Sequence, residues 1–283
     1  MKRLIVNADD LGADRARNEG IFEAIRAGVV TSASILPNGP ALEHALEGIR
    51  AGGCEGVSFG VHLNFSEGRP LAGGLSRLAG PDGSFPGKAA AHRLLMTAGD
   101  ATLVRDIEKE TAVQIERLLD AGIGVTHVDG HQHVHVFPAA LGAVLATAKG
   151  FGIRRMRVPD EAVLPDGDAA SADLLAEACR FSSLGREARK RLAGTGIASS
   201  EHFRGLALKG RLDAERLLTL LGTLPEGTTE LMVHPGRVPE RDAFSAFSSA
   251  DRERELEALL DPRFRLALQA AGVILISFWG IGS

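Results

Sequence analysis

The chain has 283 residues, a formal net charge of −4 and a sequence pI near 6.2. This charge balance argues against a nucleic-acid partner, and no apolar run approaches the ~18 residues that would cross a bilayer. The amino terminus lacks the apolar core of a signal peptide, and Cys54 and Cys179 lie too far apart in sequence to suggest a disulfide framework. We therefore expect a cytoplasmic protein with no membrane span.

The first predicted element is a strand over residues 3–7, where β-branched and apolar residues follow one another. It leads directly into two adjacent carboxylates, Asp9 and Asp10. Neighbouring carboxylates raise each other's pKa unless a cation or hydrogen-bond donors hold them. The pair is therefore either a metal ligand beside a proton acceptor, or a solvated turn that caps the next helix.

Helices and strands then alternate. We predict a helix over 16–27, a strand over 31–36, a helix over 41–50 and a strand over 57–63. His62 closes that last strand, although a histidine in an apolar strand is more often a core residue than a ligand. The Gly-, Pro- and Ser-rich segment 64–87 is too long for an ordinary connection, so we expect it to cover a substrate. An amphipathic helix over 103–121 follows.

Four of the nine histidines lie within nine positions at the end of the central strand: His127, His131, His133 and His135. The apolar lead-in ends at Asp129, which predicts a short strand that aims the histidines out of the end of the sheet. Imidazole is the commonest ligand for divalent transition metals and a common general acid or base. The cluster is a candidate for either role, and a polar loop of hydrogen-bonded histidines is the alternative.

The second half of the chain continues the alternation. We predict helices over 139–149, 170–194, 213–221, 251–260 and 263–271, a polar loop over 160–169, and strands over 155–158, 201–208, 229–234 and 273–278. Arg157 stands near the end of one of these strands and could bind a substrate carboxylate or orient Asp9; the alternative is a surface ion pair. His234 ends another strand.

Seven or eight strands alternating with helices predict an α/β fold with a parallel sheet closed, or nearly closed, into a barrel. Active sites of such barrels gather at the carboxyl ends of the strands. The residues singled out above share that position, which predicts one site because a structural histidine has no reason to prefer strand ends. We see no linker, so we expect a single domain over 1–283. Dinucleotide-binding, Walker A and serine-hydrolase motifs are absent.

Five segments of this chain resemble the YdjC-like carbohydrate deacetylases, a family that includes the bacterial chitooligosaccharide deacetylases. They are VNADDLG at 6–12, GVVTSASILPNG at 28–39, GVHL at 60–63, THVDGHQHVHVFP at 126–138 and ELMVHPG at 230–236. The resemblance implies a distorted TIM-like (β/α) barrel with about seven parallel strands, one divalent metal ion and removal of an N-acetyl group from an amino sugar. The chain is similar also to the hopanoid-associated branch, whose substrate would be an acetylated glycosyl lipid. Leu11 stands where the family often has phenylalanine.

Carried over residue by residue, the resemblance implies that Asp10, His62 and His131 hold the metal and that Asp9 and His234 transfer protons. Two imidazoles and one carboxylate leave open positions on the ion for water and for the amide oxygen. Imidazole suits Zn²⁺ whereas the family implies Mg²⁺ or a similar ion, and the sequence does not choose between them. The expected partner is an N-acetylated sugar or glycoconjugate, and a homodimer is compatible with the sequence.

Three other functions use similar residues. Two histidines and one carboxylate also form the metal site of iron oxygenases, which the regular alternation of strands and helices argues against. A metal-dependent hydrolase of another amide or ester bond is a second alternative. A non-catalytic sugar- or metal-binding barrel is the third, and it would need no acid and base beside the metal.

Overall fold

A computed structural model describes residues 1–97, 100–162, 170–238 and 249–282. The strands in these ranges are β1 (Lys2–Leu11), β2 (Ser32–Ile35), β3 (Ser58–Leu63), β4 (Val125–Gly130), β5 (His202–Arg204), β6 (Gly227–Val233) and β7 (Val273–Leu275). The α-helices are α1 (Arg15–Arg26), α2 (Leu42–Arg50), α3 (Lys88–Met96), α4 (Ala101–Asp120), α5 (Pro138–Gly150), α6 (Ala172–Leu192), α7 (Ala214–Thr223), α8 (Ser249–Leu260) and α9 (Pro262–Ala270).

The strands form one parallel sheet in the order β4-β3-β2-β1-β6-β5, and β7 pairs with the first residues of β1. Two single-residue bridges, Val128 with Met156 and Arg155 with Ala198, continue the hydrogen bonding from β4 towards the segment that precedes β5. The sheet therefore curves round into a distorted TIM-like (β/α) barrel surrounded by helices. This confirms the predicted fold class.

Several helices begin where the sequence supplies a capping side chain. The caps are Asp14, Asp100, Ser171, Asp213 and Asp261, and each accepts a hydrogen bond from a backbone N–H of the first turn. Such caps satisfy donors that have no partner within the helix. No helix in the described residues is both long and apolar enough to cross a membrane.

Strand β1 divides its side chains between two environments. Side chains alternate between the faces of a strand, and Leu4, Val6 and Ala8 join the main apolar core between the sheet and the helices. On the other face, Asn7 donates a hydrogen bond to Ser34 of β2 across the barrel interior, at 2.9 Å. The barrel thus has an apolar outside, packed against helices, and a polar network inside.

The amino-terminal end of the barrel is closed by apolar side chains. Ile5, Phe278 and Ile281 form a small cluster of their own, and the His127 ring stacks on Phe278 with 3.7 Å between centroids. The polar network above this layer is therefore reached from the carboxyl ends of the strands, where the loops converge.

Some predicted boundaries are wrong at the less regular side of the barrel. The expected strand over 155–158 contributes only two bridges, the strand over 201–208 is reduced to β5, and the closing strand ends at Leu275. These segments make few ladder pairings, so sequence patterning overstates their length. Helix α3 was not predicted, and most of the predicted loop over 160–169 falls outside the described residues.

Candidate active site

The pairing of β1 with β6 places two of the predicted site residues side by side. The last pair in this ladder is Ala8 with Val233, so Asp9 and His234 follow as neighbours at the same edge of the sheet. Nε2 of His234 lies 4.0 Å from Oδ2 of Asp9. The parallel register therefore brings together two groups that are 225 positions apart in the sequence.

Both adjacent carboxylates of β1 face one cavity. In a regular strand, neighbouring side chains would point to opposite faces, but the β1–β2 register shifts between Ala8 and Leu11. Asp10 has a left-handed φ of 68° at this irregularity. Both Asp9 and Asp10 consequently line the same cavity.

Asp10, His62 and His131 form a buried cluster that could hold a metal ion. Oδ1 of Asp10 lies 2.9 Å from Nδ1 of His131 and 3.4 Å from Nε2 of His62. One donor atom from each residue can be chosen so that all three lie within 4.8 Å of one another. Two imidazoles and one carboxylate are a donor set that divalent ions accept, with positions left for substrate and water.

His62 is oriented by a carboxylate on its far side. The register of β3 and β4 pairs His62 with Asp129, and Nδ1 of His62 hydrogen-bonds to Oδ1 of Asp129 at 2.9 Å. This leaves Nε2 facing Asp10, an arrangement typical of metal-binding histidines. Burial lowers the pKa of His62, but Asp129 and Asp9 outweigh it and raise that pKa to about 10. The surroundings of the ring therefore favour a positive charge there.

Arg157 lies behind Asp9 and has no exposed surface. Its guanidinium donates to both carboxylate oxygens of Asp9, at 2.6 and 2.7 Å, and to Glu230 at 2.6 Å. It also lies 3.1 Å from Oδ2 of Asp129. This excludes the alternative of a surface ion pair and agrees with a role in orienting Asp9. Arg157 does not line the cavity, so direct substrate binding by this residue has no support in the described geometry.

The group of Asp9, His62 and Asp129 is also compact enough for a metal ion. Arg157 donates to both oxygens of Asp9 and lies 3.1 Å from Oδ2 of Asp129. In the neighbouring cluster, the arginine contacts of Asp10 are made by Oδ2, and Oδ1 faces the two histidines. The cluster with Asp10 is therefore the better candidate for a metal centre.

Two buried arginines, Arg252 and Arg17, approach Asp10, and no sequence pattern pointed to either of them. Arg252 of α8 donates to Oδ2 of Asp10 at 2.6 Å and is itself buried. Burial alone would raise the pKa of Asp10, but His131 and Arg252 lower it well below its usual value. Asp10 is therefore ionised, and its Oδ1 faces the two histidines.

His234 is held at the cavity wall by its backbone. Its N–H donates to Oε2 of Glu255 at 2.6 Å, and burial raises the pKa of Glu255 to about 7. Burial, reinforced by Arg252, lowers the pKa of His234 well below its usual value. The imidazole is therefore neutral near pH 7.

The cavity in front of these groups has a volume of about 270 Å³. Its lining combines the carboxylates and histidines described above with a group of apolar side chains. The apolar lining residues are Leu174, Ala178, Phe181, Leu206 and Met232. Lys88 and Glu177, joined by a 2.8 Å ion pair, and Lys209 add charge to the lining. A lining with polar and apolar parts suits a small ligand with both kinds of surface.

The long loop over 64–87 contributes one cavity-lining residue, Glu67, that no motif in the sequence singled out. Glu67 accepts from Nε2 of His131 and from the Gln132 side chain, each at 3.0 Å. The expectation that this segment covers a substrate was the only sequence signal for it. Glu67 lines the cavity, so part of the loop does lie at the site.

Two histidines of the central cluster belong to the interior instead. His127 contacts the hydroxyls of Thr126 and Ser34 and stacks on Phe278. His135 hydrogen-bonds through Nε2 to the backbone oxygen of Arg157 at 3.1 Å. Both rings are fully buried away from the cavity, so they stabilise the barrel around the site.

Comparison with known proteins gives concordant relatives over nearly the whole chain. The profile of the YdjC-like protein family matches residues 3–270. A "Carbohydrate deacetylase" of Mus musculus is 37% identical, covering 96% of this chain and 93% of the relative. A "Chitooligosaccharide deacetylase" of Escherichia fergusonii is 31% identical, covering 97% of each. A solved structure from Enterococcus faecalis V583, named as a cellobiose-phosphate cleavage protein, has a TM-score of 0.75 at 23% identity and covers 98% of each chain, which supports the fold.

Proposed function

The chain belongs to the YdjC-like protein family, and on that premise we propose that it hydrolyses the N-acetyl group of an amino sugar. Relatives named as carbohydrate deacetylases support this reaction class. One observation carries the proposal: Asp10, His62 and His131 converge with Asp9 and His234 on a single cavity. A structural cluster would not need a candidate base and acid beside a candidate metal centre.

The residues present fit a divalent ion. Asp10, His62 and His131 offer one oxygen and two nitrogens, and Asp129 fixes the His62 ring from behind. A Zn²⁺ or Mg²⁺ ion bound there would polarise the acetyl carbonyl and lower the pKa of water. Imidazole donors favour Zn²⁺, because Mg²⁺ prefers oxygen ligands.

Asp9 takes the proton of the attacking water. Its Oδ2 lies 4.0 Å from Nε2 of His62 and 4.0 Å from Nε2 of His234. A water molecule that bridges these groups can therefore reach the carboxylate. Arg157 donates hydrogen bonds to both carboxylate oxygens and so fixes the orientation of the Asp9 side chain. A general base must be held within hydrogen-bond reach of the proton that it removes.

His234 supplies a proton to the leaving nitrogen as the C–N bond breaks. Its resting ring is neutral because burial lowers its pKa. We infer that the ring first receives the proton that Asp9 took from water, across the 4.0 Å separation. The step then balances: a C–O bond forms, the C–N bond breaks, one proton moves from water to the amine, and the products are acetic acid and a free amino sugar.

The function is tested with protein stripped of metal and reloaded with Mg²⁺, Zn²⁺, Mn²⁺ or Co²⁺. We expect at least one ion to support release of acetate and free amine from N-acetylglucosamine or N,N′-diacetylchitobiose. An acyl ester and a cyclic amide belong in the same panel. Hydrolysis of those compounds alone would replace the proposal by a hydrolase of another amide or ester bond, and inactivity on all of them would favour a binding protein.

The two proton-transfer roles are tested by substitution. Asp9→Asn and His234→Gln should each lower kcat by about 10²–10⁴-fold while the metal stays bound, because general acid and base catalysis contribute that much. His202→Gln is the matched control, since the His202 ring hydrogen-bonds to the backbone oxygen of Glu226 and does not line the cavity. Near-normal turnover of Asp9→Asn or His234→Gln with full metal content would show that the assignment is wrong.

A further inference from the structure

The residue after the candidate metal ligand His131 begins an unusual turn. Gln132 and His133 both have left-handed backbone angles, with φ of 53° and 58°. With Asp10, they are the only non-glycine residues of positive φ in 1–97, 100–162, 170–238 and 249–282. Such residues cost roughly 1–3 kcal/mol each and persist where the surrounding structure requires them, often at functional sites. All three line the same cavity.

The turn presents the His133 ring to that cavity. The ring is 6% exposed and packs edge-on against Phe181, with 4.6 Å between centroids. Neither ring nitrogen has a hydrogen bond within the described ranges, and Nδ1 is sealed from solvent. Nε2 is therefore the nitrogen that remains open to the cavity. Nε2 thus meets the cavity without a protein partner in the described ranges, which places it to hydrogen-bond a ligand bound there.

The burial of Nδ1 also decides what Nε2 offers. A sealed N–H without an acceptor costs about 1–3 kcal/mol, and buried N–H groups without a partner are rarer in proteins than under-satisfied buried carbonyl acceptors. We therefore assign the hydrogen of a neutral His133 to Nε2, which also carries one in the protonated ring. In both forms Nε2 is a donor.

We propose that His133 is a substrate-binding residue whose Nε2–H donates to an oxygen carried by the acetylated sugar ring. The inference rests on the proposed function. The cavity of about 270 Å³ falls just below the ~300–1,000 Å³ usual for ligand pockets, so it accommodates about one sugar ring. The partner oxygen therefore belongs to the ring that bears the acetamido group.

Two substitutions at His133 test this by opposite expectations. Asparagine tolerates a left-handed backbone but is too short to reach the position of Nε2, whereas glutamine reaches it with an amide N–H and fits the backbone less well. We expect His133→Asn to raise KM for N,N′-diacetylchitobiose by about 3–10-fold at similar kcat, the effect of one lost neutral hydrogen bond. His133→Gln should restore KM to near the wild-type value despite a lower melting temperature.

A structural role would give the reverse order, with His133→Gln the more impaired enzyme, and that result would overturn the proposal. Binding provides a second readout that does not need turnover. In Asp9→Asn protein labelled with ¹⁵N-histidine, N,N′-diacetylchitobiose should shift the Nε2–H resonance of His133. Binding of the sugar without that shift would also overturn the proposal. A protein that binds the sugar with the shift, but releases no acetate in wild-type form, would refute the deacetylase assignment and leave the His133 contact standing.

Discussion

Replacement of Arg157 tests whether the base is positioned by a buried cation. Its guanidinium is enclosed by three carboxylates, with donors 2.6–2.7 Å from Asp9 and Glu230 and a 3.1 Å approach to Asp129. Arg157→Met keeps a long apolar stem but removes the only arginine that contacts Asp9 in the described part of the chain. We expect both stability and turnover to fall.

The stability change follows from the loss of charge compensation. Removing one partner of a buried ion pair costs about 3–5 kcal/mol. Burial raises the pKa of Glu230 to about 7, so proton uptake there keeps the cost within this range. At about 2–4 °C per kcal/mol for a chain of this size class, the melting temperature should fall by roughly 6–20 °C. Asp9→Asn should change it far less, because Arg157 keeps Asp129 and Glu230.

Thermal melts by circular dichroism and acetate release on the same metal-loaded samples measure both effects. Arg154→Met is the matched control, since Arg154 is exposed and only three positions away. Substitutions at exposed positions usually stay within ~0.5 kcal/mol. If Arg157→Met had the same melting temperature as Arg154→Met and kept wild-type turnover, the carboxylates around Arg157 would not depend on its charge. Arg157 would then not be what positions Asp9.

Three further changes have defined outcomes. Gly20→Ala would place a Cβ atom 2.5 Å from the Cα of Gly236, two residues after His234, so we expect the melting temperature and kcat to fall. Gly222→Ala is the control and should not lower the melting temperature, because the added Cβ atom would meet open space. Burial lowers the pKa of His127 to about 3, so as the pH falls below ~6.5 the unfolded chain takes up a proton at this residue before the folded chain does, and the free energy of unfolding should decline. His127→Leu should reduce this dependence of the melting temperature on pH between pH 7 and 4. Because carboxylates raise the pKa of His62 to about 10 and also raise the pKa of His131, a metal must displace protons from its ligands. Calorimetric Zn²⁺ affinity should therefore strengthen between pH 6.5 and 8.5, by up to about tenfold per pH unit for each proton displaced. A pH-independent affinity would contradict the placement of His62 among the ligands.

The position of the site follows from the sequence because parallel strands all present their carboxyl ends at one edge. Asp9, His62 and His234 could be expected to meet once each was recognised at the end of a strand. The ladders make this quantitative: Ala8 pairs with Val233, and His62 pairs with Asp129. Sequence patterning is wrong at 155–158, where a strand-like sequence makes only isolated bridges, because the length of a ladder depends on tertiary pairing and not on the local sequence alone.

The residues that hold the site could not be predicted in the same way. Arg252 and Glu255 lie in a helix whose sequence, SADRERELEALL, is typical of a solvated face. Both are nevertheless buried against Asp10 and His234. Only the packing of α8 beside α1 and α7, which brings these two side chains to Asp10 and His234, distinguishes them from their exposed neighbours. The sequence also did not show which of the four clustered histidines face the cavity. His131 and His133 do, and His127 and His135 do not, because the backbone turns at the left-handed residues Gln132 and His133.

The adjacent carboxylates of β1 have different surroundings although they are neighbours in the sequence. Side by side and buried, Asp9 and Asp10 would favour sharing a proton. The irregular backbone at Asp10 turns them towards different arginines, Arg157 for the first and Arg252 for the second. Arg157 covers both oxygens of Asp9 and fixes its direction, whereas Arg252 takes one oxygen of Asp10 and leaves the other to the histidines. In the proposed function, where Asp9 is the base and Asp10 a metal ligand, the two carboxylates therefore differ in their arginine partners and in the oxygens that those arginines leave to other groups.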